Sequence, residues 1–452
     1  MSAKRQFTCE ELASLNEEHN AHLAVRGKVY NVSKFIAHHP GGRDVLRMAA
    51  GKDVTIVFQS YHAFSDIPPK ILQKYYVGDL VSTKFPTFPE PGAFYNTVRK
   101  RVRKYFKDTN QDPKNSGWMW LRHVIIPAVV VLTWFGQFSP NFILSCIAAA
   151  VMGWFTALSC MVNVHDASHF AVTSNPTMWR VVGHIHDFLN GGSYYVWVYQ
   201  HIFGHHPYTN IDGFDPDIST AKEKPDLRRI KWSQTWLPRY FHQHVYMPML
   251  YCLLGMKTYL QDFTVFLVFK KNSTIRLNSP STSHLVLFIS GKLCFFMHKV
   301  VLPWMFLSFW KMVVLITIGE MVASYWLALT FQASHVVSEV DWPQPDANGK
   351  INRDWAELQV ESTLDYATDS WFFNVVTGAL NHQTIHHLFP GVSQIYYPQI
   401  TPIVREACKE FGVRYNYKDT FFQALGAHIG HLKRLGQDKE KPIVTRPEVW
   451  KG

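Results

Sequence analysis

The stretch NFILSCIAAAVMGWFTALSCMVNVHDASH, residues 141–169, joins an apolar run to a histidine pair without a break. Residues 141–162 carry no charge and are long enough to cross a bilayer. His165 and His169 follow at i and i+4, so a continuing helix places both imidazoles on one face. A membrane helix thus delivers two metal-type ligands to its own mouth.

Working outward, a first apolar run at 123–138 precedes this one across the short turn QFSPN. A second pair, 285–303 and 312–332, repeats the arrangement and ends just before His335. Lys292, His298 and Lys299 fall in its first member. Charge inside a span is costly, so an interfacial position is expected for His298 and Lys299. Each hairpin crosses and returns, which puts His165 and His335 on the side of the N-terminus. The polar region between the hairpins, about 163–284, holds Lys222, Lys224, Arg228, Arg229, Lys231, Lys270 and Lys271, the basic excess of a cytosolic loop. The same rule accounts for the net charge of +11, and no basic patch with a nucleic-acid-binding motif accompanies it, so nucleic acid is set aside. The six cysteines are scattered with no C-x-x-C pair, which argues against a disulfide framework or zinc ribbon. The opening residues are charged and have no apolar core of a secretory signal, so a cytosolic N-terminus is expected.

Residues 1–82 read as a separate soluble domain. Thr8 and Glu11 have capping-box spacing, and LAVRGKVYNVSKF reads as strand, glycine turn and strand. His39-Pro40-Gly41-Gly42 and, further on, Tyr61-His62 bring two imidazoles from separate helices. Such a pair fills both axial positions of a haem iron and suits electron transfer rather than oxygen activation. Phe35, Val45, Leu46, Val57, Phe58 and Phe64 are expected to wall the porphyrin. Pro86, Pro89 and Pro91 mark residues 83–93 as a linker. Beyond it, AFYNTVRKRVRKYFK reads as a basic amphipathic helix, equally a solvated face or a lipid contact.

Two more histidine clusters follow the first. His201, His205 and His206 stand at i, i+4 and i+5 in HIFGHH; QTIHH supplies Gln383, His386 and His387. One H-x-x-x-H pair is usually a satisfied polar pair on a helix. Seven clustered histidines exceed the needs of one four-coordinate zinc and fit a two-metal centre better.

Over residues 6–82 the chain resembles a cytochrome b5 domain, which implies haem b with His39 and His62 as axial ligands. Residues 94–430 resemble the membrane fatty-acid desaturases, and the fused haem domain with a Gln-led third box resembles their front-end subgroup. The resemblance implies two non-haem irons held by His165, His169, His201, His205, His206, His386 and His387, with His335 in FQASHVVSE as a further ligand. No catalytic residue separate from the metal centre is implied. Gln383 is left as an outer group or a weak ligand. Asp166 is expected to orient a ligand imidazole, and Asn210 and Asp215 are candidates for the same role or for loop caps. Ile385 stands where the front-end pattern usually has an acid, which leaves regiochemistry open; LFPGVSQIYYP resembles fungal and protist delta-5-type enzymes, ahead of delta-4, delta-6 and delta-8.

The expected fold is therefore an α+β cytochrome b5 domain (1–82), a Pro-rich linker (83–93) and an all-α membrane desaturase domain (94–452) of about four spans with a cytosolic helical cap. The expected reaction uses O2 to place a cis double bond in a polyunsaturated fatty acyl chain carried on phospholipid or CoA. The chain has no G-x-G-x-x-G fingerprint, so electrons are expected from NADH through a separate NADH-cytochrome b5 reductase. The implied location is the endoplasmic reticulum membrane, multi-pass, in contact with its lipids. Competing readings are a sphingolipid long-chain-base desaturase or a hydroxylase and, without catalysis, a membrane haem electron carrier or a metal transporter.

Overall fold

The structure is a computed structural model that describes residues 5–218 and 226–439; Lys222 and Lys224 lie outside them. Four strands form the N-terminal sheet in the order β1-β4-β3-β2: β1 (Gln6–Phe7), β2 (His22–Val25), β3 (Lys28–Asn31) and β4 (Tyr76–Leu80). The capping box forms as its spacing requires, with Glu11 N–H on Thr8 Oγ1 and Thr8 N–H on Glu11 Oε2. Arg26 and Gly27 both take positive φ, 53° and 68°, giving the tight turn whose twist suits a β2–β3 hairpin.

This domain is not tethered loosely. Its core residues Val25, Tyr30, Ile36 and Met48 belong to one continuous apolar cluster with Trp179, Tyr195, Tyr199 and Phe203 of the membrane domain. Asn278 Nδ2 donates to the carbonyls of Arg47 and Ala50, at 2.7 and 2.9 Å, while Lys52 Nζ donates to Asn278 Oδ1 at 2.7 Å. Gly42, at φ 86°, packs so closely on Pro176 that a Cβ would lie 2.9 Å from the proline ring. The linker is pinned as well: Thr87 N–H donates to Gly349 O and Ile351 N–H to Thr87 O, both at 2.9 Å. The helix Ala93–Thr109 buries Phe94, Tyr95, Val98, Val102 and Phe106 against Tyr397–Phe411, so its apolar face is core and its basic face is outward.

Four long apolar helices form two hairpins, Gly117–Gly136 with Phe142–Ser168 and Thr282–Phe306 with Phe309–His335. The hairpins meet where Gly153 faces Gly319; a Cβ at 153 would run into the Gly319 carbonyl, the close backbone approach that small residues permit between spans. Two expectations about the spans need correcting. Lys299 is not interfacial: its Nζ pairs at 2.7 Å with Glu320, near the middle of the next span, and Lys292 pairs with Asp262 at 2.8 Å. His298 also lies within its helix, with Nε2 on the Phe188 carbonyl at 3.0 Å. The charges are tolerated because each cation faces an anion on a neighbouring helix.

The second correction is a fifth helix long and apolar enough to cross, Pro238–Phe269, in a region read as polar. Pro248, Gly255, Lys257 and Asp262 break its apolar pattern. Gln243 near its start is bonded to Arg229 and Leu432, and Asn272 just past its end to Gln200 beside the second histidine cluster. Both ends therefore lie on the side of the histidines. In between, Gly255 reaches Ser324 and Tyr259 reaches Glu320. The segment leaves Met249, Leu253, Met256, Leu260 and Phe263 exposed.

Candidate metal centre and haem site

The seven histidines of the three clusters and His335 converge, and none is more than 5% exposed. The Phe142–Ser168 helix carries His165, with His169 just past its end; the end of the Phe309–His335 helix carries His335; Gln383–Leu388 carries His386 and His387. His201–His205 is a π-turn rather than the expected α-helix, with His206 N–H donating to His201 O. The wider turn brings His201 and His206, at i and i+5, to 3.3 Å between their Nε2 atoms.

The donors sort into overlapping groups whose ligand atoms lie within 4.8 Å of one another. His165, His169, His201 and His386 form one; His205, His335 and His387 form the other; His206 joins His386 and His387 between them. A fourth group, His201, His205 and Asp217, overlaps the first two, and each could hold a metal ion. Burial, then the neighbouring imidazoles, hold His169, His206, His386 and His387 well below the usual histidine range, so each is neutral and offers a lone pair. Burial also lowers His201, against the pull of Asp217. For His205 burial opposes the charge, but Asp215 and Asp217 together outweigh it and raise the group.

The residues fit a metal by a direct test. His169 Nε2, His205 Nε2, His206 Nδ1, His335 Nδ1 and His386 Nε2 are buried with no hydrogen-bond partner among the described residues. Each such orphan costs roughly 1–3 kcal/mol in a dry interior. His201 Nε2 also faces His165 Nε2 at 3.3 Å, nitrogen against nitrogen. A cation among these lone pairs removes both costs, and an all-imidazole donor set suits iron, zinc, copper or nickel.

Behind the inward nitrogens stands a ring of partners, which ligand histidines need to fix tautomer and aim. Asp217 accepts from His201 Nδ1 at 2.9 Å, both oxygens of Asp215 accept from His205 Nδ1 at 3.0 Å, and Gln359 Oε1 accepts from His387 Nδ1 at 2.7 Å. Tyr61 Oη lies 2.6 Å from His169 Nδ1, Tyr397 Oη 3.4 Å from His386 Nδ1, and the Gln394 carboxamide 3.1 Å from His165 Nδ1. Of these six only Asp215 stood out in the sequence. The D-P-D spacing 215–217 just after the second cluster was the available signal for Asp217; the others have none. The Gln383 carboxamide touches His335 Nε2 at 2.8 Å and His387 Nε2 at 3.1 Å, inside the cluster. Asp166 does not hold an imidazole as expected: it faces Arg122 and the backbone of Gln394. Asn210 clamps backbone instead, its Nδ2 donating to the carbonyls of His335, Asp341 and Ser362. His382, though adjacent to the third cluster, is satisfied by Thr401 and Asn374.

In the N-terminal domain, His39 and His62 stand with ring centroids 6.4 Å apart. Two metal–imidazole bonds of about 2 Å each plus the two ring radii span that distance. Their Nδ1–H groups donate to the carbonyls of Gly42 (3.3 Å) and Phe58 (2.8 Å), which leaves both Nε2 lone pairs free. A Cβ at Gly41 would sit 2.8 Å from the His39 ring, so glycine there gives the imidazole its room. Burial pushes His62 down to about 4, keeping it unprotonated at neutral pH. Phe35 and Phe58 flank these rings, whereas Phe64 does not wall a porphyrin: it stacks on Phe389 at 5.4 Å, at the domain contact.

Two family models match the chain. Residues 8–81 match the family "Cytochrome b5-like Heme/Steroid binding domain" and residues 140–419 match "Fatty acid desaturase". The chain is 48% identical over 437 residues to an acyl-lipid (8-3)-desaturase of Mortierella alpina, covering 96% of this chain and 97% of that one. It is 38% identical to acyl-lipid (8-3)-desaturase B of Dictyostelium discoideum, covering 97% and 96%. It is 37% identical to Delta(5) fatty acid desaturase A of the same organism, covering 98% and 97%. The cytochrome b5-like domain implies haem and the desaturase family implies iron. The chain therefore belongs to the fatty acid desaturase family, as a membrane desaturase of the front-end kind that carries its own cytochrome b5-like domain.

Proposed function

We propose that this protein is a delta-5 acyl-lipid desaturase with two irons held by His165, His169, His201, His205, His206, His335, His386 and His387, and haem b held by His39 and His62. The observation that carries it is the gathering of eight buried imidazoles into two groups joined by His206. The similar proteins named for Delta(5) or (8-3) desaturation of acyl lipids support delta-5 over delta-4, delta-6 or delta-8, and a lipid-borne over a CoA-borne acyl chain.

Bound iron supplies the oxygen-dependent redox chemistry that unactivated C–H bonds require and that no acid or base of a protein provides. The chain's residues do the rest. Neutral imidazoles present lone pairs, and Asp215, Asp217 and Gln359 hold three of them by Nδ1 so that Nε2 faces inward. Their burial excludes bulk water from the imidazole cluster. Gln383 stands inside the imidazole cluster as a polar group in reach of His335 and His387. The haem domain, docked on the same face, receives electrons from NADH through NADH-cytochrome b5 reductase. That face is cytosolic and the membrane is the endoplasmic reticulum. Residues 1–82, 83–93 and 94–452 divide the labour as haem domain, linker and desaturase.

Expression in a host lacking polyunsaturated acids, fed candidate substrates, tests this. The expected product carries its added cis double bond at carbon 5 and is lost in His205→Ala. A double bond at another position, or an oxygenated product, would sink the regiochemical or the desaturase reading respectively.

A further inference from the structure

Tyr61 immediately precedes the haem-site histidine, yet its side chain serves the other site. Its hydroxyl lies 2.6 Å from His169 Nδ1, its ring is nearly parallel to the His169 ring (13°, centroids 6.2 Å apart), and it packs on Phe170 at 5.5 Å. His169 Nε2, the nitrogen opposite, has no hydrogen-bond partner among the described residues and belongs to the four-histidine group. One helix, Thr55–Tyr61 with His62 at its end, thus presents an imidazole to the haem pocket and a phenol to the metal cluster from consecutive residues.

We propose that Tyr61 is the positioning residue that joins the two redox sites: it accepts the His169 Nδ1–H bond, aims Nε2 at the metal, and completes a continuous path from the haem ligand to the iron ligand. The path is the His62 ring, one peptide link, the Tyr61 ring, one hydrogen bond and the His169 ring. No through-space jump interrupts it. The inference rests on the iron and haem assignments above. Per event one electron moves: the haem iron goes from ferrous to ferric and one non-haem iron from ferric to ferrous. The His169 and Tyr61 protons stay in place, and the reductase restores the haem. The rigid docking of the domain gives the path its meaning. Lys52 and Arg47 at Asn278, and Arg99 Nε on the Ala63 carbonyl at 2.8 Å, bracket the same helix and hold it against the membrane domain.

The test uses full-length protein loaded with haem and iron, in lipid nanodiscs, with Tyr61→Phe as the variant. Phenylalanine keeps the ring packing and removes only the hydroxyl. Two quantities are read: the rate of haem oxidation from the Soret band after reduced protein meets oxygen and substrate, and the product formed in one turnover of fully reduced protein. The haem spectrum is expected to match the parent, and both proteins are brought to equal iron content before the rates are compared. Haem oxidation should slow on the order of 10–100-fold, the usual consequence of stripping a ligand histidine of its partner. Single-turnover product should fall by much less than the haem rate, because the iron centre then starts reduced. Unchanged haem oxidation overturns the proposal, and so does an equal fall in both quantities, which would make Tyr61 only a support for the site. A parent protein that binds haem but no iron would instead overturn the metal assignment, and this inference with it.

Discussion

Replacing Asp217 by Asn is the sharpest probe of whether the imidazole cluster is a metal centre. Its two oxygens are both committed, one to Gln200 Nε2–H at 2.8 Å and the other to His201 Nδ1–H at 2.9 Å, and the second also lies 4.0 Å from His205 Nδ1. Burial would raise this carboxyl, but the adjoining His205 and His201 hold it well below the usual range, so it is an anion at every working pH. A carboxamide has the same shape but only one oxygen. Its NH2 must therefore face either Gln200 or His201, donor against donor, and the charge beside His205 is gone. Loss of such a partner costs about 10–100-fold in metal affinity, equivalent to about 1.4–2.7 kcal/mol. The assay is iron retained by purified full-length protein across a series of ferrous-chelator concentrations, with the haem spectrum as an internal control. The expected curve shifts to lower chelator by one to two orders of magnitude while haem content stays constant. A retention curve that overlays the parent would refute the claim that Asp217 serves a metal-bound His201.

Acid should release haem late. His62 is held at about 4 by burial, so its lone pair stays available as pH falls through the ordinary histidine range and is protonated only near that value; a Soret titration with its midpoint near 6.5 would contradict this. Lys299→Met should destabilise by about 3–5 kcal/mol because it strands Glu320 in the membrane interior. The double change Lys299→Met with Glu320→Gln should recover most of that, and thermal unfolding in one detergent compares the three proteins; equal losses for single and double variants would argue against the pair. Gly153→Val should lower the unfolding temperature through a clash with the Gly319 backbone worth about 1–3 kcal/mol, and an unchanged transition would show that the hairpins do not meet there.

The parts legible in the sequence are those written in local pattern. Apolar runs of span length, H-x-x-x-H at a helix end and the HPGG turn each need only a few adjacent residues to be read. Distance along the chain hid the rest. Lys299 and Glu320 look like isolated charges in two different spans until packing pairs them. The apolar character of Pro238–Phe269 is diluted by Lys257 and Asp262, and the second pairs with Lys292 of another helix. H-x-x-x-H-H fits an α-turn as readily as the π-turn observed, and only the convergence of His201 and His206 on shared neighbours selects the second. Phe64 reads as part of a haem wall, yet its neighbour Phe389 lies over three hundred residues away.

The same physics explains why the histidines were visible and their partners were not. A metal ligand must be one of a few residue types, so clustering betrays it; the group behind it need only accept or offer one hydrogen bond, and Asp, Gln and Tyr all qualify. Nature therefore drew those partners from wherever the chain passed: Tyr61 from the haem domain, Asp215 and Asp217 from the central region, Gln359, Gln394 and Tyr397 from the C-terminal third. An imidazole aimed by a remote segment is aimed only when that segment is docked. The metal geometry is consequently a report on the assembly of the whole chain, and a change that loosens the haem domain at Lys52 or Asn278 should disturb His169 before it disturbs His205, whose partner is only ten residues away.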